Sequence, residues 1–254
     1  MKISAIKTIK VLPCTIDIYE LLNSSLPTLK ERSILAITSK VLSICEGRVV
    51  DASEIDKEEL IRRESELYYL PKNQEYRYHF TITNNTLIPS AGIDESNGNG
   101  WYVLWPENPQ LSANKICAYL KKRYNLKELG VLITDSTILP SRWGTLGIGI
   151  GYSGFSPVKD YIGTKDLFGR DLKVSTSNIA GGLAAAAVLA MGEGAEQTPL
   201  ALIEDISSVT FLDTYDEKQD TFNYYISPLN DEPFAPFFNS VEWSPGGRNK
   251  RYNN

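Results

Sequence analysis

Three carboxylates stand beside turn-forming residues at widely separated points of the chain. They are Asp94, Asp135 and Glu193, and hydroxyl or amide groups lie close to two of them, at Ser136 and Asn97. Hard oxygen ligands without cysteine or histidine suit Mg²⁺ or Mn²⁺. Such ions commonly accompany nucleotide phosphates, whose negative charge they neutralise. Taken alone, these residues predict a site for a metal and a phosphate, and nothing more specific.

Basic residues near these carboxylates could bind further phosphate or carboxylate oxygens. The candidates are Lys40, Arg142 and Arg170, because ammonium and guanidinium groups form charge-assisted hydrogen bonds with such anions. An ordinary surface charge is the alternative interpretation of each. The single histidine, His79, lies in an alternating, strand-like segment, so any Ser–His or Cys–His mechanism would depend on that one residue.

Two buried strands would present the polar residues. The apolar segment 129–133 is followed closely by Asp135, and the apolar segment 33–38 ends at Ser39 and Lys40. Short apolar runs bounded by turn residues predict buried strands, with a buried helix as the alternative. Phosphate and metal sites of α/β-type proteins tend to lie where such strands end. The alternative here is an Asp–Ser turn beside a surface arginine.

The remaining elements are predicted from periodicity and from glycine and proline positions. Helices are expected over 54–70, 112–124 and 178–191, and strands over 76–83, 171–176 and 200–203. The third helix is apolar on all sides, which is typical of a buried helix. The aromatic segment 101–106 is interpreted as a core or dimer contact rather than as a base-stacking surface. From residue 213 the chain becomes irregular, which predicts a C-terminal extension over 213–254.

Composition excludes several classes of protein. The 254 residues include 26 basic and 31 acidic ones, a net charge of −5, which argues against a general nucleic-acid binder. No apolar run reaches the roughly 20 residues that a membrane-spanning helix needs. The three cysteines show no metal-type spacing, and the first residues alternate instead of forming the apolar stretch of a signal peptide. We therefore expect a cytoplasmic protein that binds neither membrane nor nucleic acid.

Five segments together resemble the coenzyme F420:L-glutamate ligase family, the γ-glutamyl ligases, over about residues 10–206. In chain order they are SKVLSICEGR (39–48), AGIDESN (91–97), TDS…R (134–142), KDYIGTKDLFGRDL (159–172) and AAAAVLAMGEG (184–194). The resemblance implies an α+β fold of mixed sheets with packed helices and an intertwined homodimer. It also implies that GTP and a pair of Mg²⁺ or Mn²⁺ ions are used to join L-glutamate to an acceptor carboxylate. The implied domains are a catalytic domain over 1–212, with 76–176 as a candidate second subdomain, and the extension over 213–254.

The resemblance also implies the site residues. The implied metal ligands are Asp94, Asp135, Ser136 and Glu193, with Ser136 standing where the family usually has threonine. Arg142 would act catalytically by holding phosphate or the glutamate carboxylates. The implied nucleotide-binding residues are Leu12, Pro13, Cys14, Ser39, Lys40, Asn97, Met191, Gly192 and Gly194.

Three departures from the family pattern affect the prediction of the substrate. Ile44, Leu139 and Thr164 stand where the family has basic residues, which leaves the acceptor open between an F420-type and a folate-type molecule and the nucleotide open between GTP and ATP. Other parts of the sequence are similar to a subgroup of relatives associated with folate. A non-catalytic nucleotide- or pterin-binding relative and a metal-dependent phosphohydrolase are the alternatives to a ligase.

Overall fold

The computed structural model describes residues 1–13, 15–71, 78–212 and 232–249. Its largest sheet has five strands. In spatial order they are β1 (Lys2–Ile6), β12 (Leu200–Glu204), β2 (Ser33–Thr38), β8 (Leu129–Ile138) and β9 (Thr145–Ser153), numbered by their place in the chain. The neighbours β2 and β8 are parallel, and the other pairs are antiparallel. The predicted strands at 33–38, 129–133 and 200–203 are thus confirmed.

Helices cover both faces of this sheet. One face packs against α1 (Ile18–Ser25), α2 (Ser39–Cys45) and α4 (Pro109–Tyr124), and the other packs against α5 (Ile179–Met191). The alternation of side chains along a strand explains the division. Along β2, Leu35 and Ile37 face the three helices, whereas Ile34 and Ala36 face α5.

Three smaller sheets complete the α+β fold. A four-stranded sheet has the order β13 (Ser244–Pro245), β4 (Leu67–Tyr69), β5 (Phe80–Thr83) and β6 (Thr86–Pro89). Two-stranded sheets join β3 (Val49–Asp51) to β7 (Trp101–Val103) and β10 (Val158–Asp160) to β11 (Thr176–Asn178). The short helices α3 (Lys57–Glu64) and α6 (Ala235–Asn239) complete the set. The predicted mixture of sheets with packed helices is therefore confirmed.

Several predicted boundaries were wrong. The helix expected over 54–70 stops at Glu64, because the residues that follow pair with β5 as strand β4. Helix α4 begins at Pro109 rather than at 112, since the Asn108 side chain caps it by accepting from the Leu111 N–H. The strand expected over 171–176 begins only at Thr176. Helix α5 is not buried on all sides, because the Leu189 side chain is largely exposed.

The C-terminal segment 232–249 packs against the four-stranded sheet. Strand β13 pairs with β4, and Arg248 Nη2 lies 2.8 Å from a Glu64 carboxylate oxygen. Residues 213–231 and 250–254 of the predicted extension lie outside the described residues. Strands β8 and β9, from the candidate subdomain 76–176, belong to the large sheet, and the proposed domain boundaries stay a prediction. No helix in the described ranges is long and apolar enough to cross a bilayer.

Candidate active site

The parallel pair of β2 and β8 places two polar segments side by side. Thr38 and Thr134 are partners in this register, so the residues that follow them, Ser39 and Asp135, are neighbours. Ser39 begins helix α2, and its hydroxyl forms a hydrogen bond with the Asp135 carboxylate. The sequence suggested that the strand ends before Asp135, and this prediction was wrong. Strand β8 continues to Ile138 beyond a register irregularity at 133/134.

Asp135 is held by neutral hydrogen-bond donors. The Trp105 indole Nε1–H donates to Asp135 Oδ2, and the Ser39 hydroxyl and the Ser136 backbone N–H also bind the carboxylate. Burial nevertheless raises the pKa of Asp135 to about 6, and the nearby negative charge of Asp94 adds to this effect. The donors oppose the increase because they favour the ionised form. Among the residues that the structure describes, no cation forms an ion pair with Asp135.

Asp94 is held differently, by a lysine. Lys40 Nζ forms an ion pair with Asp94 Oδ2 and donates to both the carbonyl and the hydroxyl of Ser96, each at 2.9 Å. The Ser96 N–H in turn donates to Asp94 Oδ1 at 2.7 Å. Burial opposes ionisation and is the largest single influence on the Asp94 pKa, yet the hydrogen bond and charge of Lys40, together with Ser96, outweigh it and lower that pKa.

A glycine-rich loop after α5 approaches the Asp94 segment. Asn97 Nδ2 donates to the Gly194 carbonyl at 3.1 Å. The Gly194 N–H donates to Glu196 Oε2 at 2.8 Å, and the same carboxylate fills the space where a Cβ on Gly192 would lie. Gly192 has φ +83°, which favours glycine. Met191, at the end of the helix, is buried. The loop thus holds the Glu196 carboxylate against the Gly194 N–H.

Two other predicted residues lie at the edge of this group. The Glu193 carboxylate accepts from the Thr145 hydroxyl at 3.2 Å on strand β9. Arg142 lies exposed in the loop between β8 and β9, where Nη1 donates to the adjacent Ser141 carbonyl at 2.8 Å. Ile138, the last residue of β8, is already about 10 Å from Asp135 at the usual rise per strand residue. Within the described contacts, therefore, neither Glu193 nor Arg142 touches Asp94 or Asp135.

The N-terminal nucleotide-binding candidates follow a stretch of chain that contacts the residues after the glycine-rich loop. Leu12 and Pro13 form a turn in which the Leu12 carbonyl accepts from the Thr15 hydroxyl at 2.7 Å. The preceding stretch is attached to the loop, because Gln197 Nε2 donates to the Thr8 carbonyl at 2.6 Å. Cys14 lies outside the described residues.

The model of the F420-0:Gamma-glutamyl ligase family matches residues 9–205 of the chain. The chain belongs to this family. Its similarity to the coenzyme F420:L-glutamate ligase of Methanosarcina mazei is 35% identity over 194 residues, which covers 70% of this chain and 76% of the relative. The enzyme of the same name from Methanopyrus kandleri is 32% identical over 211 residues, covering 75% and 81%. That of Methanocaldococcus jannaschii is 34% identical over 196 residues, covering 69% and 76%.

The resemblance inferred from the five sequence segments is therefore confirmed, and the chain is a member of a ligase family. The segments at 39–48, 91–97 and 184–194 meet in space at this site, through Lys40, Asp94, Asn97 and Gly194. The other two segments carry Asp135 and the exposed β10–β11 hairpin.

The donor set of this ligase-family site fits a metal bound together with a nucleotide. In the described ranges, no three His, Cys, Asp or Glu side chains gather into a cluster that could hold an ion by itself. Mg²⁺ is usually bound by only one or two carboxylates, and substrate phosphates and water complete its shell. Asp94 and Asp135 could supply two such carboxylates, and no described cation pairs with Asp135. These residues fit an ion that arrives with phosphate ligands.

Sequence reasoning missed two members of the site. Segment 101–106 was interpreted as a core or dimer contact, and Trp105 is indeed buried. Its indole N–H, however, also donates to Asp135. A buried indole N–H needs an acceptor, and that requirement was the only available signal. Glu196 occupies the glycine-rich loop, and no feature of its spacing distinguishes it from a surface glutamate.

Proposed function

We propose that the protein is a nucleoside-triphosphate-dependent γ-glutamyl ligase that joins L-glutamate to an acceptor carboxylate. The observation that carries this proposal is that Asp94, paired with Lys40, lies near Asp135, just past the parallel pairing of β2 and β8, in a chain of the F420-0:Gamma-glutamyl ligase family. The site offers both oxygen ligands for a cation and a basic group for an anion. These are the two requirements for binding a metal–nucleotide complex.

Asp94 and Asp135 would hold a pair of Mg²⁺ or Mn²⁺ ions, with Ser136 and Glu193 as further ligands. The ions would neutralise charge on the nucleotide phosphates. Glu193 reaches Thr145 in this structure, so its part in the proposal requires the side chain to turn toward the other ligands.

The nucleotide, with GTP preferred over ATP, would lie between helix α2 and the glycine-rich loop. Ser39 and Lys40 begin α2, and backbone N–H groups at a helix start and in a glycine-rich turn favour phosphate oxygens. Asn97 lies between the two, bonded to Gly194. The remaining contacts would come from Leu12, Pro13, Cys14, Met191, Gly192 and Gly194.

The proposed reaction has two steps. An acceptor carboxylate oxygen attacks the γ-phosphorus, which breaks the bond to the β-phosphate oxygen and gives an acyl phosphate and nucleoside diphosphate. The glutamate amine then attacks the acyl carbon, loses a proton and expels inorganic phosphate, which leaves an amide. The protein would contribute mainly by positioning reactants and neutralising charge. Arg142 would hold phosphate or the glutamate carboxylates.

The acceptor proposed first is an F420-type molecule, because the similar enzymes of Methanosarcina mazei and Methanopyrus kandleri are named for it. A folate-type acceptor is the second candidate, because Ile44, Leu139 and Thr164 are neutral where the family has basic residues. Ile44 is buried within α2, and Leu139 and Thr164 are exposed. None of the three can bind an acidic group of an acceptor by charge.

We also propose that a second copy of the chain covers an exposed apolar surface, which would make a homodimer. The surface comprises Trp143 in the β8–β9 loop, Leu167 and Phe168 in the β10–β11 hairpin and Leu189 on α5, all almost fully exposed. Large apolar side chains that are this exposed are candidates for contacts with another chain. Arg142 is adjacent to Trp143 and would lie at this interface. Replacing Trp143 and Phe168 together by serine should give monomers by light scattering, whereas Leu87→Ser on β6 should not change the mass.

A mass-spectrometric assay tests the function. The full chain is mixed with L-glutamate, GTP or ATP, Mg²⁺ or Mn²⁺, and an F420-type or a dihydrofolate-type acceptor in parallel. A ligase adds one glutamate residue to an acceptor and releases nucleoside diphosphate in equal amount. Nucleotide that is bound but intact with every acceptor would instead indicate a binding protein. Cleavage without an acceptor would indicate a phosphohydrolase.

A further inference from the structure

The Trp105 side chain connects the two candidate metal-binding carboxylates. Its indole Nε1–H donates to Asp135 Oδ2, and its ring lies directly against Gly92, which has no room for a Cβ there. Gly92 is two residues before Asp94. One rigid ring therefore contacts both the strand that carries Asp135 and the turn that leads to Asp94.

The turn before Asp94 has an unusual backbone. Ser90, Ala91 and Gly92 all have positive φ, at 53°, 55° and 70°. This conformation is costly for residues with a Cβ, so the surroundings must hold it. Thr81 does so from strand β5, because its hydroxyl accepts from the Ala91 N–H at 2.8 Å and donates to the Ile88 carbonyl at 2.5 Å. The left-handed turn brings Gly92 against the indole.

The indole itself is fixed on its other sides. Trp105 is 3% exposed and packs in the core cluster between the large sheet and α4. Its backbone carbonyl accepts from Arg48 Nε at 3.1 Å, and Arg48 is paired with Glu64 at 2.6 Å. A ring anchored in this way keeps its N–H at one place, so it holds Asp135 Oδ2 there.

We infer that Trp105 is a positioning residue that sets the placement of Asp135 relative to Asp94 for binding of a divalent ion. This inference rests on the proposed metal site. Groups that hydrogen-bond a ligating side chain orient it, and their removal typically lowers metal affinity about 10- to 100-fold. Trp105→Phe keeps an aromatic ring at this position but removes the N–H together with part of the indole. A folded Trp105→Phe variant should therefore bind the metal more weakly.

The first test measures Mn²⁺ affinity of the full chain by electron paramagnetic resonance of free Mn²⁺, with the non-hydrolysable analogue guanosine 5′-(β,γ-imido)triphosphate present. Trp105→Phe should bind Mn²⁺ about 10- to 100-fold more weakly than the wild type. Trp243→Phe is the matched control, because the Trp243 N–H donates to the Phe238 carbonyl at 2.9 Å in the C-terminal segment. It should bind Mn²⁺ as the wild type does.

A second measurement needs only the wild type and Asp135→Asn. The four tryptophans give up to four indole N–H signals in a ¹⁵N-labelled sample. Addition of Mg²⁺ with the analogue should shift one of them, and Asp135→Asn should shift the same signal without metal. In a folded Trp105→Phe variant that signal should be missing.

The outcomes distinguish the proposed metal site from the positioning role of Trp105. No Mn²⁺ binding by the wild type would reject the proposed metal site itself. Wild-type binding that Trp105→Phe leaves unchanged would reject the positioning role and leave the site standing. If the variant does not fold, a set of indole signals that respond neither to Mg²⁺ nor to Asp135→Asn would likewise reject the role.

Discussion

The two carboxylates at the centre of the site are presented by contrasting parts of the fold. Asp135 lies on strand β8 of the large sheet, just after the register irregularity, and neutral donors surround it. Asp94 follows a left-handed turn outside that sheet and is paired with Lys40. Burial acts on both, but the pKa of Asp135 rises to about 6 whereas that of Asp94 falls. Two features differ between the carboxylates: Asp135 is more deeply buried and has only neutral donors, whereas Asp94 has the charged partner Lys40.

This contrast suggests a division of labour. Strand β8 gives Asp135 a fixed place, and no described cation pairs with its carboxylate, which suits a ligand for a cation. Lys40 keeps Asp94 ionised before any ion arrives, and it would be released toward phosphate if a cation replaced it at Asp94. We therefore expect variants around Asp135 and variants around Asp94 to change different properties, and by different amounts.

The largest effect is expected from Asp135→Asn. The amide retains an acceptor for Trp105 but loses the charge, so ligase turnover should fall about a hundredfold, equivalent to about 2.7 kcal/mol of barrier. Nucleoside diphosphate release and acceptor mass measure this. Asp51→Asn, at a carboxylate that accepts from Ser53 on strand β3, is the control. Near-normal turnover by Asp135→Asn would contradict its assignment as a metal ligand.

The next largest effect concerns the turn on the Asp94 side. Thr81→Val leaves the Ala91 N–H without its acceptor in a buried place, which should lower the free energy of unfolding by about 2 kcal/mol. Thr83, on the same strand, is also buried, but its hydroxyl has no partner among the residues that the structure describes. Thr83→Val should therefore be neutral or slightly stabilising. Equal losses in urea unfolding of both variants would show that the turn does not depend on Thr81.

Lys40→Met should have a smaller effect, mainly on nucleotide binding. It removes the cation beside Asp94 and leaves the two carboxylates facing each other, so the nucleotide KM should rise about tenfold, or ~1.4 kcal/mol. Lys57→Met is the matched control, since Lys57 pairs with Glu95 in the same segment at 3.2 Å. A change in kcat alone, at unchanged KM, would exclude the proposed contact with phosphate.

The parts of the site that lie on regular elements could be predicted from the sequence. The apolar runs at 33–38 and 129–133 predict buried strands. Polar residues directly after such runs are then expected near the end of the sheet. That reasoning placed Ser39 correctly after its strand, but it was wrong for Asp135, because β8 continues to Ile138. It could not establish that the strands are adjacent and parallel, because pairing depends on contacts far apart in the chain.

The parts that depend on tertiary contacts could not be predicted. Nothing local in WYVLWP indicates that the Trp105 N–H finds Asp135, since the same residue would pack equally well with a carbonyl as acceptor. The left-handed turn at Ser90–Gly92 has a glycine only at its last position, so its backbone has no clear sequence signature. The helix expected over 54–70 was cut short because pairing with β5 outweighs the helical pattern of the residues after Glu64.

The smallest effect is a dependence of stability on pH, and it has opposite signs for the two carboxylates. A raised pKa in the folded state means that Asp135 favours folding below its unfolded pKa, and that this contribution is lost as the pH rises through about 6. The lowered pKa of Asp94 favours folding above its unfolded pKa, and its contribution is lost only in more acidic solution.

Metal-free protein should therefore lose on the order of 1 kcal/mol of unfolding free energy between pH 5 and pH 7 because of Asp135. Urea unfolding in EDTA at several pH values measures the change. Asp135→Asn should abolish that share of the pH dependence, because the amide does not titrate. Asp94→Asn should still lose stability between pH 5 and pH 7, because Asp135 is still present. A wild type and an Asp135→Asn variant with parallel pH profiles would mean that Asp135 is ionised throughout, and the contrast between the two carboxylates would then be wrong.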